Sequence, residues 1–307
     1  MPVLTLRRLL GAIPTLFIIV TVAFFLMRLA PGGPFDEEQS SSADVKRNLE
    51  VAYGLDRPLY QQYFAYVGGV LRGDFGPSLR YRNQSVAELI GQGLPVSATL
   101  GVFAMLLALS IGVPMGLLAA LHHQQFVDHA VTGFSLAGIV LPGFVIAPLL
   151  ALVFGVYLQW LPVAGWEAGA PKYLVLPVVT LSLPFIAYIA RLMRGGLLEV
   201  LSAPYLRTAR AKGIPARAIL WRHALKPALL PVVSFLGPAT AGVMTGSLVV
   251  EQVYGLPGIG RYFVQGAINR DYTLVMGVVI LYATLIVVLN ILVDLAYGWL
   301  DPRIRHD

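Results

Sequence analysis

Cysteine is absent from the 307 residues, which removes disulfides, thiolate metal sites and cysteine nucleophiles and leaves the redox compartment open. Charge is scarce: 12% of residues are Asp, Glu, Lys or Arg, where soluble domains carry roughly a quarter. With 57% hydrophobic residues and a mean hydropathy of +0.74, that scarcity excludes an ordinary water-soluble fold. Glycine precedes none of the four lysines (Lys46, Lys172, Lys212 and Lys226), so the chain has no G-x-x-x-x-G-K-[ST] loop with which to cradle ATP. H-E-x-x-H is missing as well. His122 and His123 are adjacent, which on a helix turns the rings about 100° apart, so they read as a loop-facing polar pair rather than metal ligands. "GFSLAG", Gly133 to Gly138, lacks the second glycine of G-x-S-x-G. His122, His123 and His129 lie on the same stretch, so an intramembrane hydrolase with Ser135 as nucleophile remains the rival from the enzyme class.

What is present is long apolar runs. Crossing the hydrocarbon takes about 20 mostly apolar residues. Six stretches meet this: Leu9 to Leu29, Val96 to Leu121, Ala130 to Leu158, Tyr173 to Met193, Ala228 to Val250 and Leu274 to Trp299. The first follows Arg7 and Arg8 as a secretory signal would, but it is longer than a signal core and "MRLAPGGPF" offers no small-x-small cleavage site, so it reads as a retained span. Gly112 with Gly116, and Gly242 with Gly246, stand four apart, as close helix packing requires. Pro142, Pro148, Pro177, Pro184, Pro231 and Pro238 interrupt the spans and need neighbours to satisfy the carbonyls they free. The fifth span is poor in bulky side chains, and its functional reading is the lining of a solute path. No ionised pair is evident at mid-span, so proton relays and ion coupling lose their usual signature. A secondary transporter is also disfavoured by the lack of an obvious inverted repeat. Asp294, a turn or two from the inner boundary, reads as a packing or ion-pair residue.

The positive charge is concentrated. Between Arg191 and Lys226 stand Arg191, Arg194, Arg207, Arg210, Lys212, Arg217, Arg222 and Lys226 against Glu199, and the rest of the chain is slightly acidic. A nucleic-acid binder would spread such residues over a soluble fold. Here they set topology: Arg7 and Arg8, this loop, and Arg303 with Arg305 fall on one side of six alternating spans, which places both termini in the cytoplasm and the long segment Pro31 to Gly93 outside. Within the basic stretch, Ser202 suits a cap and Ala203 with Pro204 the first turn of a helix that runs through "YLRTARAK" to Gly213, a left-handed stop; Pro215 then starts a second helix. The first helix is basic and small-residued. Three readings compete: a pure topology signal, a helix held by anionic lipid, and a helix docked in the groove of a soluble partner. Ala209, Ala211 and Gly213 offer lipid no bulky anchor, which favours docking to protein.

"YLRTARAKG" followed by "RHALKPALLPVV" resembles the cytoplasmic coupling loop of ABC-importer permeases in the peptide and nickel subfamily. The likeness covers nearly the whole chain, through "RRLLGAIPTLFIIVTVAFFLMRLAPGGPF", "YGLDRPLYQQY", "GDFGPS", "EQVYGLPGIGRYFVQGAINRDY" and "DPRIR", and is strongest to membrane subunits of oligopeptide permeases, ahead of dipeptide, glutathione and nickel ones. One departure stands out. The broad importer motif begins Glu-Ala-Ala, whereas these positions are Arg207, Thr208 and Ala209, and its Leu-Pro ending falls on Leu225 and Lys226, so a Glu-mediated contact does not carry over.

The resemblance implies an all-α polytopic fold of the type I importer class, with an N-terminal span and outer segment over 1–93 and a permease core over 94–305 that contains a coupling loop at 194–227. It implies no catalytic, metal or cofactor site in this chain. ATP and Mg belong to two separate ATPase subunits that dock on Tyr205, Leu206, Arg207, Thr208, Ala209, Arg210, Ala211, Lys212 and Gly213. A second, similar permease completes the pathway and an extracytoplasmic peptide-binding protein delivers cargo, all at the bacterial inner membrane. The substrate-lining residues are left unassigned.

Overall fold

The computed structural model describes residues 2–29, 48, 51, 53–81, 83–167 and 170–300; within the helices, side chains at 2–9, 245, 246, 294 and 296–300 fall outside the description, as do Arg303 and Arg305. Asp294 therefore stands in the last helix without a described side-chain contact, and the packing expected at Gly246 lies outside the described residues.

Among the described residues helices joined by turns and loops make up the chain, and an isolated bridge between Pro77 and Ser85 is the only β pairing. The helices are α1 (Pro2–Leu29), α2 (Leu59–Val70), α3 (Val86–Leu121), α4 (Phe126–Val140), α5 (Gly143–Leu150), α6 (Lys172–Ser202), α7 (Pro204–Ala211), α8 (Ala216–Ala218), α9 (Leu225–Ala228), α10 (Leu230–Val253), α11 (Ile259–Ile268) and α12 (Tyr272–Leu300). Two π-helical stretches, Ala151–Tyr157 and Ile219–Ala224, extend α5 and join α8 to α9. Among the described residues five helices are long and apolar enough to cross a membrane, or six if the bent pair Phe126–Val140 with Gly143–Tyr157 counts as one span.

The helices of the first and fourth expected spans outrun them, starting at Pro2 and ending at Ser202 respectively, and two further differences have a clear local cause. The third span is not one helix from Ala130 to Leu158: it folds back by 101° at Leu141 and Pro142. The residue before a proline is pushed out of the helical region, and Leu141 has ψ 118 with Pro142 at ψ 140, so the helix stops and restarts at Gly143. The second span starts at Val86, ten residues before the apolar run. The reason is a reciprocal cap, in which Ser85 N donates to Glu88 Oε2 at 2.8 Å and Glu88 N to Ser85 Oγ at 3.2 Å. At about 1.5 Å per residue, α3 is roughly 54 Å long and outreaches the hydrocarbon.

The contacts divide the chain into two compact units. In the unit made of 9–97 and 257–285, Thr21 and Tyr63 share a hydrogen bond of 2.8 Å and Phe24 packs edge-on against Tyr63, which seats α2 on α1. Asp271, fully buried, caps α12 through Leu274 N at 3.1 Å and accepts from Ser78 Oγ and Arg80 N, so the turn at 77–81 is tied to the last loop. Within the stretch "EQVYGLPGIGRYFVQGAINRD", Ile259–Ile268 form α11, ten residues long and too short to cross the membrane.

The unit made of 1–8, 98–256 and 286–307 is organised on α6, which packs against α4, α5, α9 and α10. The glycine pair on α3 does what its spacing predicts. A Cβ at Gly112 would stand 2.9 Å from the Ile186 carbonyl oxygen, and one at Gly116 2.7 Å from Met193 Cβ and 3.0 Å from Arg194 N, so α3 touches the α6 backbone itself. Tyr254 ties the opposite end: its hydroxyl donates to the Ala147 carbonyl at 3.0 Å and lies 3.1 Å from Thr180 Oγ1, while its carbonyl accepts from Gly165 N at 2.8 Å. Gly116→Val should force α3 off α6 and destabilise the chain by about 1–3 kcal/mol. Gly133→Ala, whose new methyl meets nothing within 4 Å, should be neutral or slightly stabilising. Thermal unfolding in mild detergent compares the two.

Candidate functional site

The basic loop begins where α6 ends. Ala203 adopts an extended conformation, φ −65 and ψ 141, and Pro204 occupies the first turn of α7, where its missing N–H is no loss. Ser202 is not the cap expected from sequence. Its hydroxyl instead donates to the Glu199 carbonyl at 2.7 Å and closes α6. The far end of α7 is built as the sequence predicts. Gly213 stands at φ +76, Gly213 N donates to the Arg210 carbonyl at 2.9 Å and Ile214 N to the Ala209 carbonyl at 3.3 Å, the paired closure of a left-handed helix stop. Pro215 then leads into α8 and the π-helical stretch.

α7 has an inner and an outer side. Leu206 is completely buried, Ala209 is half-buried, Tyr205 Oη donates to the His223 carbonyl at 3.3 Å and Arg210 Nη2 to the Leu201 carbonyl at 3.3 Å. These contacts pin the helix to the π-helical stretch and to the end of α6. Arg207, Thr208, Ala211, Lys212 and Gly213 are exposed, and among the described residues neither Arg207 nor Lys212 forms an ion pair. Beside them opens a shallow cleft of about 710 Å³ lined by Ile214, Pro215, Arg217, Trp221 and Arg222, with Trp221 exposed. An anchored helix with an unpaired basic face beside a cleft suits docking to an acidic protein surface.

Behind the loop is an ion pair that sequence reading missed. Asp128, in the first turn of α4, is buried, and its carboxylate accepts from Arg194 Nε, from Arg194 Nη2 at 2.8 Å and from Gln124 N at 2.9 Å; His123 Nδ1 lies 3.1 Å away. Gln124 takes φ 63 to make its bond. The bidentate fork locks the turn between α3 and α4 onto α6, eight residues before Ser202. A lone Asp at the start of an apolar run was the available signal, but its partner stands 66 positions away.

The other expected features separate. His122 Nδ1 lies 3.0 Å from the Leu118 carbonyl, so the two histidines make different contacts in one exposed turn. Ser135 is buried and among the described residues its hydroxyl has no hydrogen-bond partner, which leaves it without the base a nucleophile needs. Along α10, Val232, Ala239, Ala241, Val243, Met244 and Ser247 are buried within the chain, so most of its small residues serve packing. Pro231, Ser234, Pro238 and Val249 form the face that stays exposed.

Comparison with known proteins follows the same outline. Residues 112–306 match the family described as the binding-protein-dependent transport system inner membrane component, and residues 1–100 match the N-terminal region of such membrane components. The chain is 53% identical over 301 residues to the oligopeptide transport system permease protein OppB of Salmonella typhimurium, covering 98% of each chain. It is 52% identical over the same length and coverage to the protein of that name in Escherichia coli strain K12. To the dipeptide transport system permease protein DppB of Bacillus subtilis it is 41% identical over 300 residues, covering 98% of this chain and 97% of that one. The chain, with its anchored basic loop and its long apolar helices, belongs to the family of inner membrane components of binding-protein-dependent transport systems.

Proposed function

We propose that the chain is the membrane-spanning permease subunit of an ATP-driven importer and carries oligopeptides across the bacterial inner membrane. Identity above 50% along 98% of the length with two oligopeptide permease proteins, against 41% with a dipeptide one, carries the choice of substrate. The chain is a transport subunit and not an enzyme; ATPase and substrate-binding subunits work with it. In our reading two ATPase subunits hold the ATP and Mg, a second permease completes the pathway, and the loop and both termini face the cytoplasm.

The loop geometry supports a mechanical role for α7. Leu206 and the Tyr205 to His223 contact fasten the helix to its own chain, so a displacement of its outer face passes into α6 and the π-helical stretch instead of being absorbed locally. ATP closes the ATPase pair, the docked helices follow, and the permease pair opens outward to take peptide. The Asp128 to Arg194 fork adds the turn between α3 and α4 to the moving body. Peptides share a backbone and two termini but vary in side chain, and the exposed face of α10, from Pro231 to Val249, presents no formal charge that would select among them.

Gly213 carries no steric obstacle, since a Cβ there meets nothing within 4 Å, so only its left-handed backbone resists substitution. Asp and Asn tolerate that region better than most residues and Val worst. Gly213→Val should therefore abolish uptake of labelled oligopeptides and loss of the ATPase on co-purification should accompany it, while Gly213→Asn keeps part of both. Normal uptake by the Val variant would sink the docking assignment. Asp128→Asn leaves Arg194 without its carboxylate and should cost about 2–3 kcal/mol of stability, read as a lower unfolding temperature, together with reduced uptake at unchanged membrane level.

A further inference from the structure

In the unit made of 9–97 and 257–285, the end of α1 closes a cavity of about 210 Å³ whose lining includes Arg28, Arg57, Gln62, Tyr66, Asp74 and Thr273. Arg28 stands at the last turn of the apolar run Leu10–Leu29, at the depth of lipid headgroups whichever way the chain is inserted. Its guanidinium carbon lies 5.4 Å from the Phe24 ring and 5.7 Å from the Tyr272 ring, and among the described residues no carboxylate pairs with it. Among the described residues, three buried polar atoms here lack a hydrogen-bond partner: Arg28 Nε, the Tyr66 hydroxyl and Gln62 Oε1. The Gln62 amide donates to the Leu55 and Arg57 carbonyls at 2.9 and 2.7 Å, so its oxygen is the atom left over.

Native proteins seldom leave such groups unsatisfied, and clustered ones ask for a ligand with matching chemistry. The unpartnered donors are Arg28 Nε and the Tyr66 hydroxyl and the unpartnered acceptor is Gln62 Oε1; Arg57 and the Asp74 carboxylate, whose Oδ1 accepts from Gly76 N at 2.9 Å, also line the cavity. An anion alone would leave Gln62 Oε1 unsatisfied. We propose that this cavity binds the headgroup of phosphatidylethanolamine. The phosphate accepts from Arg28 Nε and the Tyr66 hydroxyl, and the ammonium donates to Gln62 Oε1 and Asp74. The acyl chains lie along Ile18, Val22, Phe25 and Leu29, an exposed stripe of α1 at helical spacing that leads from the hydrocarbon to Arg28.

The test is native mass spectrometry of the full-length chain in mild detergent, titrated with phosphatidylethanolamine, phosphatidylglycerol or free phosphoethanolamine. The wild type should retain phosphatidylethanolamine in preference to both others. Arg28→Gln should weaken retention roughly ten-fold, and Tyr66→Phe several-fold, as expected for the loss of hydrogen bonds to a charged group. Tyr66→Phe removes a hydroxyl that has no protein partner, so its unfolding temperature in lipid-free detergent should not fall; it keeps the test decisive should Arg28→Gln fail to insert. Equal retention by the wild type and Tyr66→Phe, equal retention of the two lipids, or equally tight binding of free phosphoethanolamine would each overturn the proposal.

Discussion

The larger unit depends on how closely other backbones approach α6. Between helices in lipid no hydrophobic force draws one to another, because the surrounding tails are as apolar as the side chains, so association rests on van der Waals contact at short range and on hydrogen bonds. Gly112 and Gly116 bring α3 onto the α6 backbone, Gly138 does the same for α4 against Ala187, and Gly196 lets the Ala228 carbonyl come close to the other end of α6. The Asp128 to Arg194 fork then fixes the axial register of the turn between α3 and α4, which packing of small residues leaves free to slide. The position of α7 follows from that of α6, whose last residue stands two before its first.

Prolines explain the irregular backbone around this axis. Pro148 has no N–H for the Phe144 carbonyl, and a π-helical stretch begins three residues later at Ala151. Pro215 and Pro227 flank the second such stretch, Ile219–Ala224. Wide turns of this kind are strained relative to an α-helix and recur where a helix has functional work. Here the second one receives the Tyr205 contact from α7 and borders the cleft beside the basic face. The π-helical stretch thus links the anchored α7, through its Tyr205 contact, to α9 and α10.

Much of this was legible along the chain. The spans follow from apolar length, the positive loop from a count of Lys and Arg, and the left-handed stop at Gly213 from one glycine after a breaker-free run, because each of these depends on neighbours within a few residues. The capping box at Ser85 and Glu88 was equally local, but it lies outside the apolar run that marked the span, so the true start of α3 escaped notice. The small residues of α10 showed the limit of composition: a small side chain is equally suited to lining a path and to admitting a neighbour, and burial of Ala239, Ala241 and Val243 decides for the neighbour at those positions.

Family and function were already carried by sequence, since motifs spread over nearly the whole chain are enough to place it among importer permeases. Only the tertiary structure could decide which side of α7 is anchored, that Ser202 closes α6 instead of opening α7, that the third crossing bends by 101°, and that Asp128 and Arg28 stand in such different company. The physical reason is distance along the chain. Helix formation and insertion are governed by local pattern and can be read from it, whereas ion pairs, close backbone approaches and cavities join residues tens to hundreds of positions apart, and their partners exist only once the helices have packed.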